Sequence, residues 1–198
     1  MKQPQSAPKA KLITAIMYKD KSTLDKSKKE LIKKFGKIER ESNGYEFNLT
    51  DYYEPEMGKP LYKRFISFKK LINREKLGNI RLKTLEIENK FTINSKRKIN
   101  IDPGYITLNS LVLASVKERP HKIYLGKGIY ADMNLILKKE GFFDFPWTFL
   151  DYKLDQNQEF FHKVRKDLLN KQKDSETKKD IDKIKRLIGT ENEDKNQN

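Results

Sequence analysis

Twice along the chain a short apolar run is followed by an amphipathic stretch with helix punctuation. This repetition limits the fold more than any other feature. The first run, KLITAIMY (Lys11–Tyr18), has the length of a buried strand rather than of a helix. Ser22 then opens S-T-L-D, a capping-box pattern with Asp25 at the third helical position. Leu24, Leu31, Ile32 and Phe35 fall on one helical face, and Gly36 supplies a C-terminal stop. The second run, LYKRFISF (Leu61–Phe68), sets Phe65 between Lys63 and Ser67 on one strand face, with Tyr62, Ile66 and Phe68 on the other. Asn73 is placed to cap a helix in which Leu77, Ile80, Thr84, Ile87 and Phe91 recur at three- and four-residue steps.

Between these units, KIERESNGYEFNL holds two alternating runs around Asn43-Gly44, a dipeptide favoured where both hairpin positions take positive φ. RKINI (Arg97–Ile101) is a further strand, which Asp102-Pro103-Gly104 ends as a turn. The order is β-α-β-β-α-β. It predicts an α+β protein with a ferredoxin-like core, a largely antiparallel sheet, an added hairpin and C-terminal helices. A Rossmann-like sheet is the alternative and needs more helices between parallel strands. Thr107–Val116 fits a helix or a buried strand and reads better as a helix capped by Thr107, and His121–Leu137 reads as two strands about Gly126-Lys127-Gly128. Residues 11–152 then form one domain behind a disordered lead, 1–10. Residues 153–198 form a helical, partly disordered extension. It holds an amphipathic helix with Phe160, Phe161, Val164, Leu168 and Leu169, a second short helix over IDKIKRLIG, and a disordered TENEDKNQN end.

The chain has no cysteine, which excludes disulfides, thiolate metal sites and a cysteine nucleophile. With only His121 and His162, a multi-histidine metal centre is not expected. No apolar run reaches the roughly 18 residues of a membrane span, and the first residues lack the apolar segment of a secretory signal. These features predict a cytoplasmic protein without a membrane partner. Of the net charge of +15, residues 1–100 contribute 25 Lys/Arg against 12 Asp/Glu. Such an excess attracts phosphate, yet lysine outnumbers arginine 35 to 8, and phosphate readers favour the planar arginine fork. No G-x-x-x-x-G-K-[ST] loop occurs. Phe65, Ile66 and Phe68 fit the second half of the RNA-recognition strand motif, while Leu61–Arg64 do not fit the first.

Four segments couple carboxylates to tyrosines or other aromatics: Thr50–Gly58, Asp102–Tyr105, His121–Asp132 and Pro146–Tyr152. Each has a structural use of its own in turns and packing, but four together point to a site on loops at the ends of scaffold elements. Asp51, Asp102 and Asp151 are the candidate catalytic acids, able to act as bases or to bind Mg²⁺. Tyr52, Tyr53, Tyr105, Tyr124, Tyr130 and Trp147 would shape the pocket, with Glu56 and His121 as further ligand contacts. Arg64 and Lys122 would neutralise an anionic group. A pocket of this kind suits a small phosphorylated or nucleotide-like ligand. The alternatives are an RNA-binding module that uses the basic first half and the Phe65–Phe68 strand, or a scaffold that docks a protein partner through its C-terminal helices.

Two of these segments, FNLTDYY (Phe47–Tyr53) and DPGY (Asp102–Tyr105), resemble the F-D-F-T-D-Y-Y and D-P-G-Y marks of domain-of-unknown-function family 4416, a group of small prokaryotic proteins. YYEPEMG, RFISF, HKIYLGKGIYA and PWTFLDY are similar to it as well, so the resemblance spans roughly Lys11 to Tyr152. It implies no activity. Some members carry a GTP-binding label, for which this chain has no P-loop. The chain departs from the first mark at Asn48 and Leu49, so an acid at the first of these positions is not required.

Overall fold

All nine residues of β1 (Ala10–Tyr18) are buried, so this strand needs partners on both edges and cover on both faces. The structure, a computed structural model that describes residues 3–138 and 140–194, supplies both. After β1 come α1 (Lys21–Phe35), β2 (Ile38–Glu41), β3 (Tyr45–Glu46), α2 (Glu54–Met57) and β4 (Tyr62–Ile72). A 3-10 turn (Arg74–Lys76) leads into α3 (Leu77–Lys90), followed by β5 (Thr92–Ile93), β6 (Lys96–Arg97), β7 (Ile99–Ile106) and β8 (Ser110–Ser115). Then come β9 (Ile123–Gly126), β10 (Ile129–Leu137), β11 (Phe142–Asp144), a second 3-10 turn (Leu150–Lys153) and α4 (Asp155–Asp194).

The main sheet has the order β11-β10-β8-β7-β1-β4-β2, with β3 also on β4 and β9 also on β10. Every pairing in it is antiparallel. The chain is therefore an α+β protein built on an antiparallel sheet. One face packs Leu12, Ile16, Ile66, Phe68, Ile99 and Ile101 against Leu24 and Leu31 of α1 and Ile80 and Ile87 of α3. The other packs Ile13, Ala15, Phe65, Ile106 and Leu111 against Phe160, Phe161 and Val164 of α4. Strand alternation explains the division, since neighbours such as Phe65 and Ile66 point to opposite faces. No described helix is long and apolar enough to cross a membrane.

Several local expectations are corrected. Asp20, not Ser22, caps α1, accepting from the Thr23 amide at 2.8 Å. Asn43-Gly44 does not fold a hairpin, because β2 and β3 both pair with β4, Glu41 opposite Ile66 and Tyr45 opposite Lys63. They are two pieces of one interrupted edge. At Gly44 a Cβ would lie 2.7 Å from the Tyr18 hydroxyl oxygen and 2.9 Å from Arg64 Nη2, so a larger residue would displace these side-chain ends. Asp102-Pro103-Gly104 is not a turn but the middle of β7, with Asp102 opposite Ala15 and Gly104 opposite Ile13. Within Thr107–Val116, Ser110–Ser115 form strand β8, not a helix. The Thr107 hydroxyl does accept from backbone N–H groups, of Asn109 at 3.0 Å and Ser110 at 2.9 Å, but these close the turn into β8. The same hydrogen-bond chemistry serves a turn or a helix cap.

At the end of the chain, one continuous helix stands where two were expected. Residues 190–194, read as part of a disordered end, belong to it, and the rest of that stretch lies outside the described residues. Of the lead, residues 3–9 carry no helix or strand, Ala10 already belongs to β1, and residues 1 and 2 lie outside the described part.

Candidate functional site

The pairing of β7 with β8 covers only Gly104–Ile106 against Leu111–Leu113. Towards Ile99 and Ser115 it stops. Pro103 stands where it stops, and proline cannot donate to a ladder. Ile101 would then have an unpaired amide and carbonyl inside the protein, and α3 satisfies both. Glu88 Oε1 accepts the Ile101 N–H at 2.7 Å, and Arg81 Nη1 donates to the Ile101 carbonyl at 2.5 Å. The two side chains pair with each other at 3.0 Å, both buried. Burial pushes the Glu88 carboxyl up, and Arg81 opposes it.

Where the pairing stops lies a cavity of about 600 Å³, within the usual range for small-molecule sites. All four aromatic-acidic segments reach it: Tyr52 and Tyr53 from the loop before α2, Asp102 from β7, His121, Lys122 and Asp132 around β9 and β10, and Trp147 and Phe149 after β11. Five of the lining side chains are cationic (Arg81, Arg97, Lys117, Arg119, Lys122) and two are carboxylates (Asp102, Asp132). Arg81, Arg97 and Lys122 are each paired with a carboxylate, which leaves Lys117 and Arg119 as the lining cations without an ion pair among the described residues. Unpaired charge of one sign in a cleft concentrates ions of the other.

The cations are held in place. Glu56 grips Arg97 through Nε at 2.6 Å and Nη2 at 2.7 Å. Arg97 Nη1 donates to Asn100 at 2.8 Å, and Asn100 Nδ2 donates to Asp102 Oδ2 at 2.6 Å. Lys122 Nζ meets Asp132 Oδ2 at 3.0 Å and the Ser115 hydroxyl at 2.9 Å. Lys117 crosses to Tyr52, 2.7 Å from the hydroxyl and 3.9 Å above the ring centre. Burial pushes the Tyr53 phenol up, and the nearby Asp102 carboxylate adds to this. The His121 ring stacks on Trp147 at 4.4 Å, and Trp147 stacks on Phe145 at 4.9 Å.

Other expected site residues lie elsewhere. Asp51 is exposed and 3.6 Å from Lys59. A hydrogen bond with Glu54, then Lys59, holds its carboxyl below the usual range. Asp151 is buried in an ion pair with Lys63 at 2.6 Å. Arg64 pairs with Glu41 and contacts the Tyr18 hydroxyl at 3.3 Å. Tyr105 packs beside Leu77 and Val112, on the sheet face opposite Asp102. Tyr124 and Tyr130 line an adjoining cavity of about 430 Å³ that shares Arg119 and Lys122 with the first. Asp51, Asp102 and Asp151 form no metal cluster, and among the described residues no group of three His, Asp or Glu side chains is placed to hold an ion. Phe65, Ile66 and Phe68 are fully buried, so this strand offers no open ring for a nucleic-acid base.

The profile of a domain of unknown function (DUF4416) matches residues 8–168. The chain belongs to this family. No curated protein and no solved structure matches it. The DUF4416 match takes in the first part of α4, which fits the way Phe160, Phe161 and Val164 complete the core. In this DUF4416 chain, the sequence does not single out Arg81, Arg97, Lys117 and Arg119 as cavity residues, and it marks Asp132 only as the end of the His121–Asp132 segment. The run VKERPHK (Val116–Lys122) between two strands was the available signal for Lys117 and Arg119. Nothing in sequence separates Arg97 from the many other basic residues.

Proposed function

We propose that the protein binds a small phosphorylated, nucleotide-sized ligand in the cavity where β7 and β8 part. The observation that carries this reading is the lining of five cations against two carboxylates, with the rings of Tyr52, Tyr53, Trp147 and Phe149 among them. Lys117, Arg119 and Lys122 would meet phosphoryl oxygens, since charge-assisted hydrogen bonds are the strong ones. The rings offer apolar faces to a planar or sugar moiety, and Asp102 would accept from a ligand hydroxyl. A cytoplasmic location belongs to the same reading and is supported by the absence of cysteine. So does a ferredoxin-like core. Its support is the order β7-β1-β4-β2 in the sheet, with α1 and α3 as the two helices and β8 to β11 as additions beyond β7.

The test is thermal shift and calorimetry of the full chain with inorganic phosphate, pyrophosphate, sugar phosphates and nucleotides, with and without Mg²⁺. Native-state binding raises stability by mass action. The expected result is a concentration-dependent rise that Arg119→Ala and Lys117→Ala weaken by about 10-fold each, the scale of a hydrogen bond to a charged group. No shift with any of these anions rejects the reading. Binding of RNA alone, lost as salt rises, replaces it with the nucleic-acid reading.

A further inference from the structure

Beside the cations sits a pair that anion binding alone does not require. Asp132 is 3 % exposed, and one of its oxygens, Oδ1, has no hydrogen-bond partner in the protein. That oxygen lies 3.6 Å from His121 Nε2, while Oδ2 is engaged by Lys122 at 3.0 Å. A buried carboxylate oxygen without a partner is costly, and the edge of the His121 ring is placed to supply one. The imidazole is fixed from its face as well. It lies nearly parallel to Trp147, at 12°, and the Trp147 indole N–H is tied to the Met133 carbonyl at 2.9 Å. The ring plane, one ring nitrogen and the carboxylate behind it are thus arranged by β10 and the segment after β11, and His121 lines the same cavity as Lys117, Arg119 and Lys122.

We propose that this cavity is a hydrolytic active site for a phosphate ester, with His121 as the general base and Asp132 as the residue that positions it. The proposal rests on the anion-binding reading above. Asp132 holds the proton on Nε2, which leaves Nδ1 to accept a proton from water. As the water oxygen bonds to phosphorus, that proton passes to Nδ1. The ester P–O bond breaks, and its electron pair leaves on the alcohol oxygen, which is protonated from solvent. The imidazolium then returns its proton to solvent, so one water is consumed per ester cleaved. The 3.6 Å separation is beyond ordinary hydrogen-bond reach, and contacts of this kind tighten when a ligand enters. The charged groups that share the cavity with the imidazole are Asp102, Asp132, Arg97, Lys117, Arg119 and Lys122, with Arg81 from α3 behind them.

The experiment measures phosphate release by the full chain from p-nitrophenyl phosphate, sugar phosphates and nucleotides, alongside calorimetric binding of inorganic phosphate. The expected result is turnover of one or more of these esters by the parent chain. His121→Gln should lower it about 100-fold or more, the usual size of general-base catalysis, while phosphate binding changes by only a few-fold. Added imidazole should restore part of the rate to His121→Ala. Asp132→Asn should lower the rate and displace the pH profile, which a purely structural role would not do. His162→Gln serves as the control and should leave turnover unchanged, because His162 packs on Phe142 away from the cavity. Anion binding without turnover, or His121→Gln within 3-fold of the parent rate, overturns the hydrolase and leaves the binding reading standing. Absence of anion binding overturns both.

Discussion

Replacing Asp151 should damage stability rather than chemistry, and the size of the loss can be worked from its surroundings. The carboxylate pairs with Lys63 at 2.6 Å, and the two side chains are 3 % and 7 % exposed. Tyr45 donates to the same carboxylate oxygen at 3.0 Å. Asp151→Ala would leave a buried ammonium without its counter-ion and the half-buried Tyr45 phenol without its acceptor. Loss of one partner of a buried pair costs about 3–5 kcal/mol. The rings of Phe47, Tyr152 and Phe65, at 5.0, 5.3 and 5.7 Å from the Lys63 nitrogen, still attract the cation. They hold the expected loss near the lower end of that range.

At a urea slope of about 2 kcal/mol per molar, a loss of about 3 kcal/mol moves the unfolding midpoint down by about 1.5 M. Lys63→Met together with Asp151→Leu should recover most of it, because an apolar pair of similar volume avoids desolvating two charges. Asp151→Asn should bind phosphate as the parent does under conditions where it remains folded. A midpoint within about 0.3 M of the parent for Asp151→Ala, against the slope above, would refute this reasoning. So would loss of phosphate binding in a variant of unchanged stability, which would return Asp151 to the site.

Other perturbations test other parts of the fold. Burial and the neighbouring Lys171 ammonium push Lys11 down to about 7, against the pull of its ion pair with Glu39. Between that value and the ordinary lysine range the unfolded chain binds the extra proton, so stability should rise from about pH 7 towards pH 9. Lys11→Met should flatten that rise in urea titrations, and an unchanged slope would contradict it. Gly104→Ala would put a Cβ 2.6 Å from both Leu113 Cδ2 and the Val112 carbonyl oxygen. Because one of these is backbone, a loss of about 1–3 kcal/mol or more is expected, readable as a lower Tm. Deleting residues 154–198 removes Phe160, Phe161, Val164 and Leu168, all buried, worth about 6–12 kcal/mol at 1.5–3 kcal/mol each. That approaches the whole stability of a typical domain, so the truncated chain should be unfolded by circular dichroism. A folded truncated core would show that α4 is dispensable.

Which parts of this were legible in sequence follows from the range of the interactions involved. β1, α1, β4 and α3 were readable because each carries its own periodicity within a dozen or so residues. The β9–β10 hairpin was readable for the same reason, with Gly126, Lys127 and Gly128 all at positive φ. The expected caps were misplaced: Asp20 caps α1 in place of Ser22, and Asn73 makes no capping hydrogen bond and stands before the 3-10 turn that leads into α3. The misreadings occurred where one local signal serves two structures. Asp102-Pro103-Gly104 has turn composition, yet β1 holds it extended along one edge. Asn43-Gly44 has hairpin composition, yet β4 already offers both flanking segments a partner. For Leu111–Ser115 an apolar run of this length fits helix or strand, and only its pairing with β7 and β10 decides. The convergence of the four aromatic-acidic segments was inferred from their common chemistry, and they do share a cavity. The two carboxylates that reach it, Asp102 and Asp132, stand on strands β7 and β10, while Asp51 in the turn before α2 and Asp151 in the 3-10 turn before α4 do not.

The placement of the cavity follows from the same packing that forms the core. An antiparallel pair that stopped early in the middle of a sheet would strand backbone groups away from water, at about 1–3 kcal/mol each. Here the exposed edge of β7 is answered by the Arg81–Glu88 pair, which takes up the Ile101 amide and carbonyl as a neighbouring strand would. The sheet can therefore end its β7–β8 pairing at Gly104 without losing the strands beyond. The space so opened lies past the end of the apolar cover given by Phe160, Phe161 and Val164. On this stretch of the sheet face, Asn100 and Asp102 follow Ile106 and Gly104 on the same side of β7. Polar residues there need partners: Asp102 accepts from Asn100, and Asn100 accepts from Arg97, which Glu56 holds. The aromatic-acidic segment Thr50–Gly58 thus serves the cavity in two ways. Tyr52 and Tyr53 form part of its wall, and Glu56 fixes the arginine that braces its floor.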